Sequence, residues 1–268
     1  MRTTLSYCLI ISIFMVLSNQ LFAQGPIAGF AVAKGEVAVA INYATESYDT
    51  YLNPQGDEER SLTALSYSVF VEAGVSDEMA VVATLPYVET NSANSDFQDA
   101  SIFLKYRNLE SRSGQGRHWL HTAIGGTFPV GSYPTDGEFA IGQQAFVFQG
   151  RLVYQYQHDQ GWFLSALSGI DFQLSPDSRA VWPLLFRAGY GAPWLYVEGW
   201  LEFVSALDGT QGTETALAGT GSSWTRTGAT AYVPLRPWLG VQVNGAWILS
   251  GEFIGQSSRL GGGVVFKF

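Results

Sequence analysis

The chain has 268 residues, and only 14% of them are charged against the roughly 25% usual in soluble domains, while aromatic residues also reach 14%. That balance excludes a disordered chain, and the 30 glycines exclude a coiled coil. A net charge of −9 excludes the basic face that nucleic-acid binding needs, and past residue 24 no run approaches the ~20 apolar residues of a membrane helix.

The first segment reads as an address. Met1 to Thr4 carries one positive charge, Leu9 to Leu17 (LIISIFMVL) is an apolar core too short to span a bilayer, and Ser18 to Gln24 turns polar around a small residue. This is the pattern of a secretory signal peptide, residues 1–23, cut between Ala23 and Gln24. The sole cysteine, Cys8, lies inside it, so the mature chain has no disulfide and no thiolate chemistry. Residues 24–34 form a mildly apolar N-terminal periplasmic segment that either folds into the barrel mouth as a small plug or trails. Residues 35–268 form the barrel.

From residue 36 onward, apolar and polar residues alternate with the period of strands. Strands are expected at about 36–48, 62–73, 79–89, 98–109, 118–130, 144–157, 162–173, 181–191, 194–205, 223–233, 238–249 and 258–268. Most run ten residues or more. Membrane-spanning strands need about nine to eleven, whereas soluble strands average about five or six. The connections alternate too. Short ones fall at 75–78, 110–117, 158–161, 191–193 and 234–237, and longer ones at 50–60, 90–97, 131–143, 174–180, 207–222 and 250–257. Outer-membrane barrels pair short periplasmic turns with longer external loops. The expected fold is therefore all-β: a transmembrane antiparallel up-and-down barrel of about twelve strands, with both termini in the periplasm.

Parity assigns the faces. Ile102, Leu104 and Tyr106 oppose Lys105 and Arg107. Phe148, Leu152, Tyr154 and Tyr156 oppose Arg151. Trp182, Leu184, Phe186 and Tyr190 oppose Arg187, and Leu195, Val197, Leu201 and Phe203 oppose Glu198 and Glu202. Leu260, Val264, Phe266 and Phe268 oppose Arg259 and Lys267. A charge facing lipid at midplane costs about 2–4 kcal/mol, so the charged faces belong to the lumen. The candidate lumen-lining residues are Asp99, Lys105, Arg107, Arg151, Asp171, Arg187, Glu198, Glu202, Arg259 and Lys267. Arg187 is expected beside both Asp171 and Glu198. The lining either selects solutes or fills the barrel with salt bridges. Tyr43, Tyr67, Tyr87, Tyr106, Tyr154, Trp162, Trp182, Trp194, Trp238 and Trp247 are expected outside, in the interfacial girdles. The chain ends on an alternating strand closed by Phe268, the kind of terminal aromatic read as an assembly signal by the barrel assembly machinery.

Two segments carry a family resemblance. Val71 to Val88 (VEAGVSDEMAVVATLPYV) joins a Gly-hydrophobic-Ser-Asp turn to a strand ending Leu-Pro-Tyr, and Asp96 to Arg107 (DFQDASIFLKYR) runs into Lys-Tyr-Arg. Together with Gly125 to Gly131 (GGTFPVG) and the strand opening Ala33 to Val37, they resemble the outer-membrane proteins associated with the meta-pathway of phenol degradation. Phe97 and Gln98 stand where that pattern has a glycine. The resemblance spans residues 33–131 and implies a barrel passing small, often hydrophobic compounds.

Catalytic and metal sites find little support. His118 and His121 are three apart on one strand and so face opposite sides, and His158 falls in a turn. A lipid-modifying barrel enzyme needs a serine near a histidine, and neither His118-Trp119 nor His121-Thr122 has one two residues on. Gly219 to Gly221 and Gly261 to Gly263 precede neither a helix nor a lysine, so neither is a phosphate loop. The reading is an outer-membrane channel of a Gram-negative bacterium for small molecules, including hydrophobic or aromatic ones, working by passive diffusion through the lumen or a lateral opening. Its expected partners are outer-membrane lipid, the assembly machinery and a small-molecule solute; no cofactor, metal or nucleic acid is expected. The alternatives are a non-conducting structural or surface-interaction barrel using 207–222 and, last, the lipid-modifying enzyme.

Overall fold

The computed structural model describes residues 27–30, 32–91, 93–135, 140–209 and 221–268. The expected signal peptide, Gly212 and most of loop 207–222 lie outside the described residues. Alternation between apolar and polar residues makes one face of each strand fit for lipid and the other for the interior, and the chain folds accordingly. In order it forms β1 (Val37–Leu52), β2 (Glu58–Gly74), β3 (Met79–Thr90), β4 (Asn94–Phe97), β5 (Ala100–Ser113), β6 (Gly116–Phe128) and β7 (Phe146–His158). It continues with β8 (Trp162–Ser175), β9 (Arg179–Ala192), β10 (Leu195–Ala206), β11 (Ser223–Arg236), β12 (Leu239–Glu252), β13 (Ile254–Gly255) and β14 (Ser258–Lys267).

All pairings are antiparallel between neighbours, and β1 bonds both β2 and β14, closing the sheet. Ala40 sits opposite Phe70 on one side and Val265 on the other. Val37 and Phe268 seal the seam by exchanging backbone hydrogen bonds of 3.1 and 2.8 Å. Leaving aside the four-residue β4 and two-residue β13, which are additions at the rim, twelve strands form the barrel wall. Closure gives every wall strand a hydrogen-bonded neighbour on both sides, the condition for spanning lipid.

Several expected connections turn out shorter, three of them through added strand pairing at the rim. β1 and β2 continue pairing from Tyr48↔Leu62 to Tyr51↔Glu58, so loop 50–60 shrinks to 53–57. Polar residues on both faces (Thr50, Glu58, Glu59, Arg60) hide this extension from a period-two reading, because beyond the lipid both faces meet water. Part of loop 90–97 is β4, which folds back on β3 and packs Phe97 against Tyr87 at 5.3 Å, edge to face. Part of loop 250–257 is β13, which extends β1 at Tyr51 and Leu52.

The outer surface is apolar. Ile41, Ile102, Leu104, Ile124, Leu152, Leu164, Phe186, Val243 and Leu260 are all exposed. Such a surface on a closed barrel is stable only in a bilayer. Tyr43, Tyr67, Tyr106, Tyr154, Trp162, Trp182, Trp194, Trp238 and Trp247 are also exposed, while Tyr87 is half-covered by Phe97. The Trp182 indole donates to Ser168 Oγ at 2.9 Å, keeping its polar edge satisfied.

The interior is filled at the short-turn end. Here the staves turn small side chains inward (Ala38, Ala40, Ala80, Ala123), leaving room for Ile27, Phe30 and Val32, which are buried in one cluster with Phe163, Tyr196, Tyr232 and Val265. Of the two expected courses for the N-terminal segment, the chain takes the plug.

Candidate functional site: a plugged lumen and an arginine-lined chamber

The plug is held by packing and by one charged latch. Phe30 is 2% exposed and meets the rings of Phe163 at 5.2 Å, Trp119 at 6.4 Å and Tyr196 at 6.4 Å, all edge to face. Burying such a side chain is worth about 1.5–3 kcal/mol. Gly29 passes so close to β7 that a Cβ there would lie 2.1 Å from Gln155 Oε1 and 2.8 Å from Gln155 Cβ. Only glycine fits.

Parity on β5 turns Lys105 inward, and β2 turns Glu72 to meet it. Their ion pair is 2.5 Å long and almost fully buried. The same ammonium donates to the carbonyl oxygens of Phe30 at 2.8 Å and Ala28 at 3.3 Å. Three donors thus find three acceptors, the full capacity of a lysine. The two carbonyls belong to a non-helical, non-sheet segment and would be orphaned inside the barrel without it.

Beyond the plug, toward the long loops, lies a chamber of about 570 Å³. Its floor is Ile27 of the plug with Phe70, Phe103, Leu167 and Leu185, and polar side chains such as Asn42, Ser68, Thr84, Thr127 and Gln149 line much of the wall. From β7 round to β1 the wall carries four ion pairs. Arg151 pairs with Asp171, Arg187 Nη1 lies 3.8 Å from Glu198, Arg226 is 2.6 Å from Glu202, and Arg259 is 3.3 Å from Glu46. Trp200 is directly opposite Arg187 on the neighbouring strand. The Arg226 guanidinium sits over the Trp200 ring, 5.4 Å from its centroid.

Of the residues singled out from sequence, Arg151, Arg187, Glu198, Glu202 and Arg259 line this chamber. Asp171 corrects the expectation for Arg187. It is opposite Val181, while Arg187 is opposite Ser165, so six residues of β9 separate them, and Asp171 pairs with Arg151 instead. Lys105 is in the latch. Arg107 points inward at the short-turn end and bonds Glu110 at 2.9 Å. Lys267 lies near the same end, 5.2 Å above the Tyr232 ring.

Asp99 departs from the expected lining. It lies just before β5 under the long loop after β6, where it accepts a short hydrogen bond from the Tyr133 hydroxyl and a 3.4 Å bond from the Ala145 amide. Burial raises its pKa above the usual carboxylate value of 3.8, opposed by those two hydrogen bonds. Burial and the bond to Asp99 raise that of Tyr133. Tyr133 and Ile141 pack with Tyr48, Tyr51, Leu62, Ala64 and Val88, so the loop covers one side of the mouth.

Glu72, Glu46, Arg226 and Trp200 were not singled out from sequence. Each was accessible by the same parity: Glu72 alternates with Val71 and Ala73, and Arg226 shares a face with Gly228 and Thr230. Among the described residues, no group of three or more His, Cys, Asp or Glu could hold a metal ion. His118 Nδ1 bonds the Tyr154 hydroxyl at 2.8 Å on the outer face, His121 is buried in the wall, and His158 Nδ1 accepts from the Gln160 amide at 3.1 Å.

Fold and lumen together define a transmembrane β-barrel of the bacterial outer membrane, apolar outside, polar inside and plugged at one end. Residues 23–249 match the family described as "Putative MetA-pathway of phenol degradation", and the chain belongs to that family. Among solved structures it is similar to an outer-membrane channel from Pseudomonas putida F1, with 13% identity over 90% of this chain and 98% of that one, and a TM-score of 0.72. It is also similar to the NanC porin (10% identity, 86% of this chain, 100% of that chain, TM-score 0.58). A third similarity is to the translocator domain of the autotransporter NalP from Neisseria meningitidis (11% identity, 88% and 89%, TM-score 0.50). Among curated proteins none matches the sequence.

Proposed function

We propose that the barrel is a non-enzymatic outer-membrane channel that admits small molecules by passive diffusion, with both termini and the plug on the periplasmic side. The observation that carries this reading is the chamber of about 570 Å³ in the lumen, whose floor is completed by Ile27 of the plug, a segment separate from the wall. A barrel built only for stability would fill that volume with side chains, since interiors pack like crystals. The similarity to channels and porins supports it. The family's association with phenol degradation extends it to aromatic and hydrophobic solutes.

The test is planar-bilayer conductance of the full barrel, of a variant lacking residues 27–32, and of Gly29→Leu, whose side chain collides with Gln155. Both variants should conduct several-fold more than the parent. A barrel that stays closed with the plug deleted overturns the channel reading and leaves the non-conducting structural barrel.

A further inference from the structure

Several buried polar side chains around the plug are matched. Lys105 and Glu72 have each other, and the lysine has two plug carbonyls besides. The Tyr196 hydroxyl donates to Glu198 at 2.8 Å, and Ser165 donates to the Tyr154 carbonyl at 3.2 Å. His121 and Gln155 break this pattern. They are 1% and 0% exposed. Neither ring nitrogen of His121, and neither Oε1 nor Nε2 of Gln155, has a hydrogen-bond partner among the described residues.

Both side chains belong to the wall, one rung apart on neighbouring strands. His121 is opposite Val153 on β7, and Gln155 is opposite Trp119 on β6. By parity both point into the lumen, so what covers them is what fills the lumen. Gly29 passes over Gln155 so closely that a Cβ there would lie 2.1 Å from Oε1. On the same face of β6, His121 is flanked by Trp119, whose ring meets that of Phe30, and by Ala123, which is buried in one cluster with Phe30.

A buried polar group without a partner loses its hydration and gains nothing in return. The surroundings are apolar (Val153, Phe163 and Ala123 are all buried), so a leucine or methionine would suit a plug that never left. An imidazole and an amide suit a surface that water also visits. They regain their hydrogen bonds when the segment is out.

We propose that His121 and Gln155 make the plug a displaceable gate: docking strips both of water, undocking returns it, and the closed state is held close to release. This deepens the channel reading by naming the residues that set the gate's balance. Its test reads the plug directly and stands without conductance.

Val32 is 4% exposed in the docked segment and lies outside the chamber lining. A Val32→Cys barrel should therefore react with an impermeant thiol reagent through its undocked population, and the labelling rate follows that fraction. The parent without this cysteine sets the background. Phe30→Ala calibrates the assay and should speed labelling at least about tenfold.

Gln155→Met and His121→Leu each remove the unpartnered groups with little change in size. Each should slow labelling at least about fivefold, and the double variant should slow it further. Heat-modifiable migration checks the folding of each. Should one variant fail to fold, the other decides alone. Labelling that is unchanged or faster in a folded variant overturns the proposal. A barrel whose labelling slows as expected but which carries no current keeps the strained plug and loses the channel.

Discussion

Lys105 and Glu72 meet 2.5 Å apart inside the barrel, and the lysine spends its other two protons on the carbonyls of Phe30 and Ala28. One side chain therefore ties β5, β2 and the plug together. A buried pair of this kind is costly to break and cheap to remove whole, because the cost lies in the charge left behind. Lys105→Met should destabilise the folded barrel by about 3–5 kcal/mol, leaving Glu72 uncompensated. Lys105→Met with Glu72→Met should recover most of that loss while still releasing the plug. Urea unfolding followed by heat-modifiable migration measures both. Equal destabilisation in the single and double variants would show that the pair's charge is not what matters.

The loop over the mouth should respond to pH through Asp99. Its pKa is raised in the docked state by burial, so docking takes up a proton. The carboxylate's contribution to docking is fully present below its ordinary value and is lost as pH rises through the raised one. A spin label at Ser132 should therefore be less mobile at low pH and more mobile as pH rises through that window. Asp99→Asn keeps an acceptor for the Tyr133 hydroxyl and should abolish the dependence. A pH response surviving in the Asn variant would assign it to another group.

Topology follows from the two kinds of connection. Gln55 caps the β1–β2 hairpin at the long-loop end, and Gln160 lies in the β7–β8 turn at the other. Single cysteines at each should react differently with an impermeant reagent on intact cells: Gln55→Cys labelled, Gln160→Cys protected. The opposite pattern inverts the barrel and moves the plug to the outside.

Phe268 is exposed at the end of the closing strand and bonds Val37 only through its backbone. Its ring is exposed in the folded barrel, and we propose that it acts in assembly. Deleting it should lower the amount of folded barrel in the outer membrane several-fold in pulse-chase experiments, with little change in unfolding once folded. Normal assembly kinetics would remove the signal.

The alternation of side chains was legible because lipid imposes it. Trp182, Phe186 and Tyr190 must face hydrocarbon, so Arg187 between them faces in. Register was not legible, because it depends on turn geometry and on how far strands rise past the lipid. A register error of six residues replaced the true Arg151–Asp171 pair with an expected Arg187–Asp171 one. The latch was further from view. Lys105 reads as one more inward cation until the chain brings it to carbonyls 75 and 77 residues away in sequence, and main-chain oxygens leave no mark in a residue pattern. Asp99 likewise has the parity of the lumen, but Tyr133 from a loop without period claims it.

The plug is joined to β1 by little more than Ala33 to Glu36. A segment on so short a tether faces its own binding groove at an effective concentration of about millimolar or more. Any departure and return would therefore be unimolecular, with the same open fraction in a crowded membrane and in a single reconstituted barrel. A free peptide copying residues 27–32 would have to exceed that local concentration to take its place. Cutting the chain after Lys34 would change the equilibrium far more than weakening any one contact, since it turns a tethered segment into a diluted one.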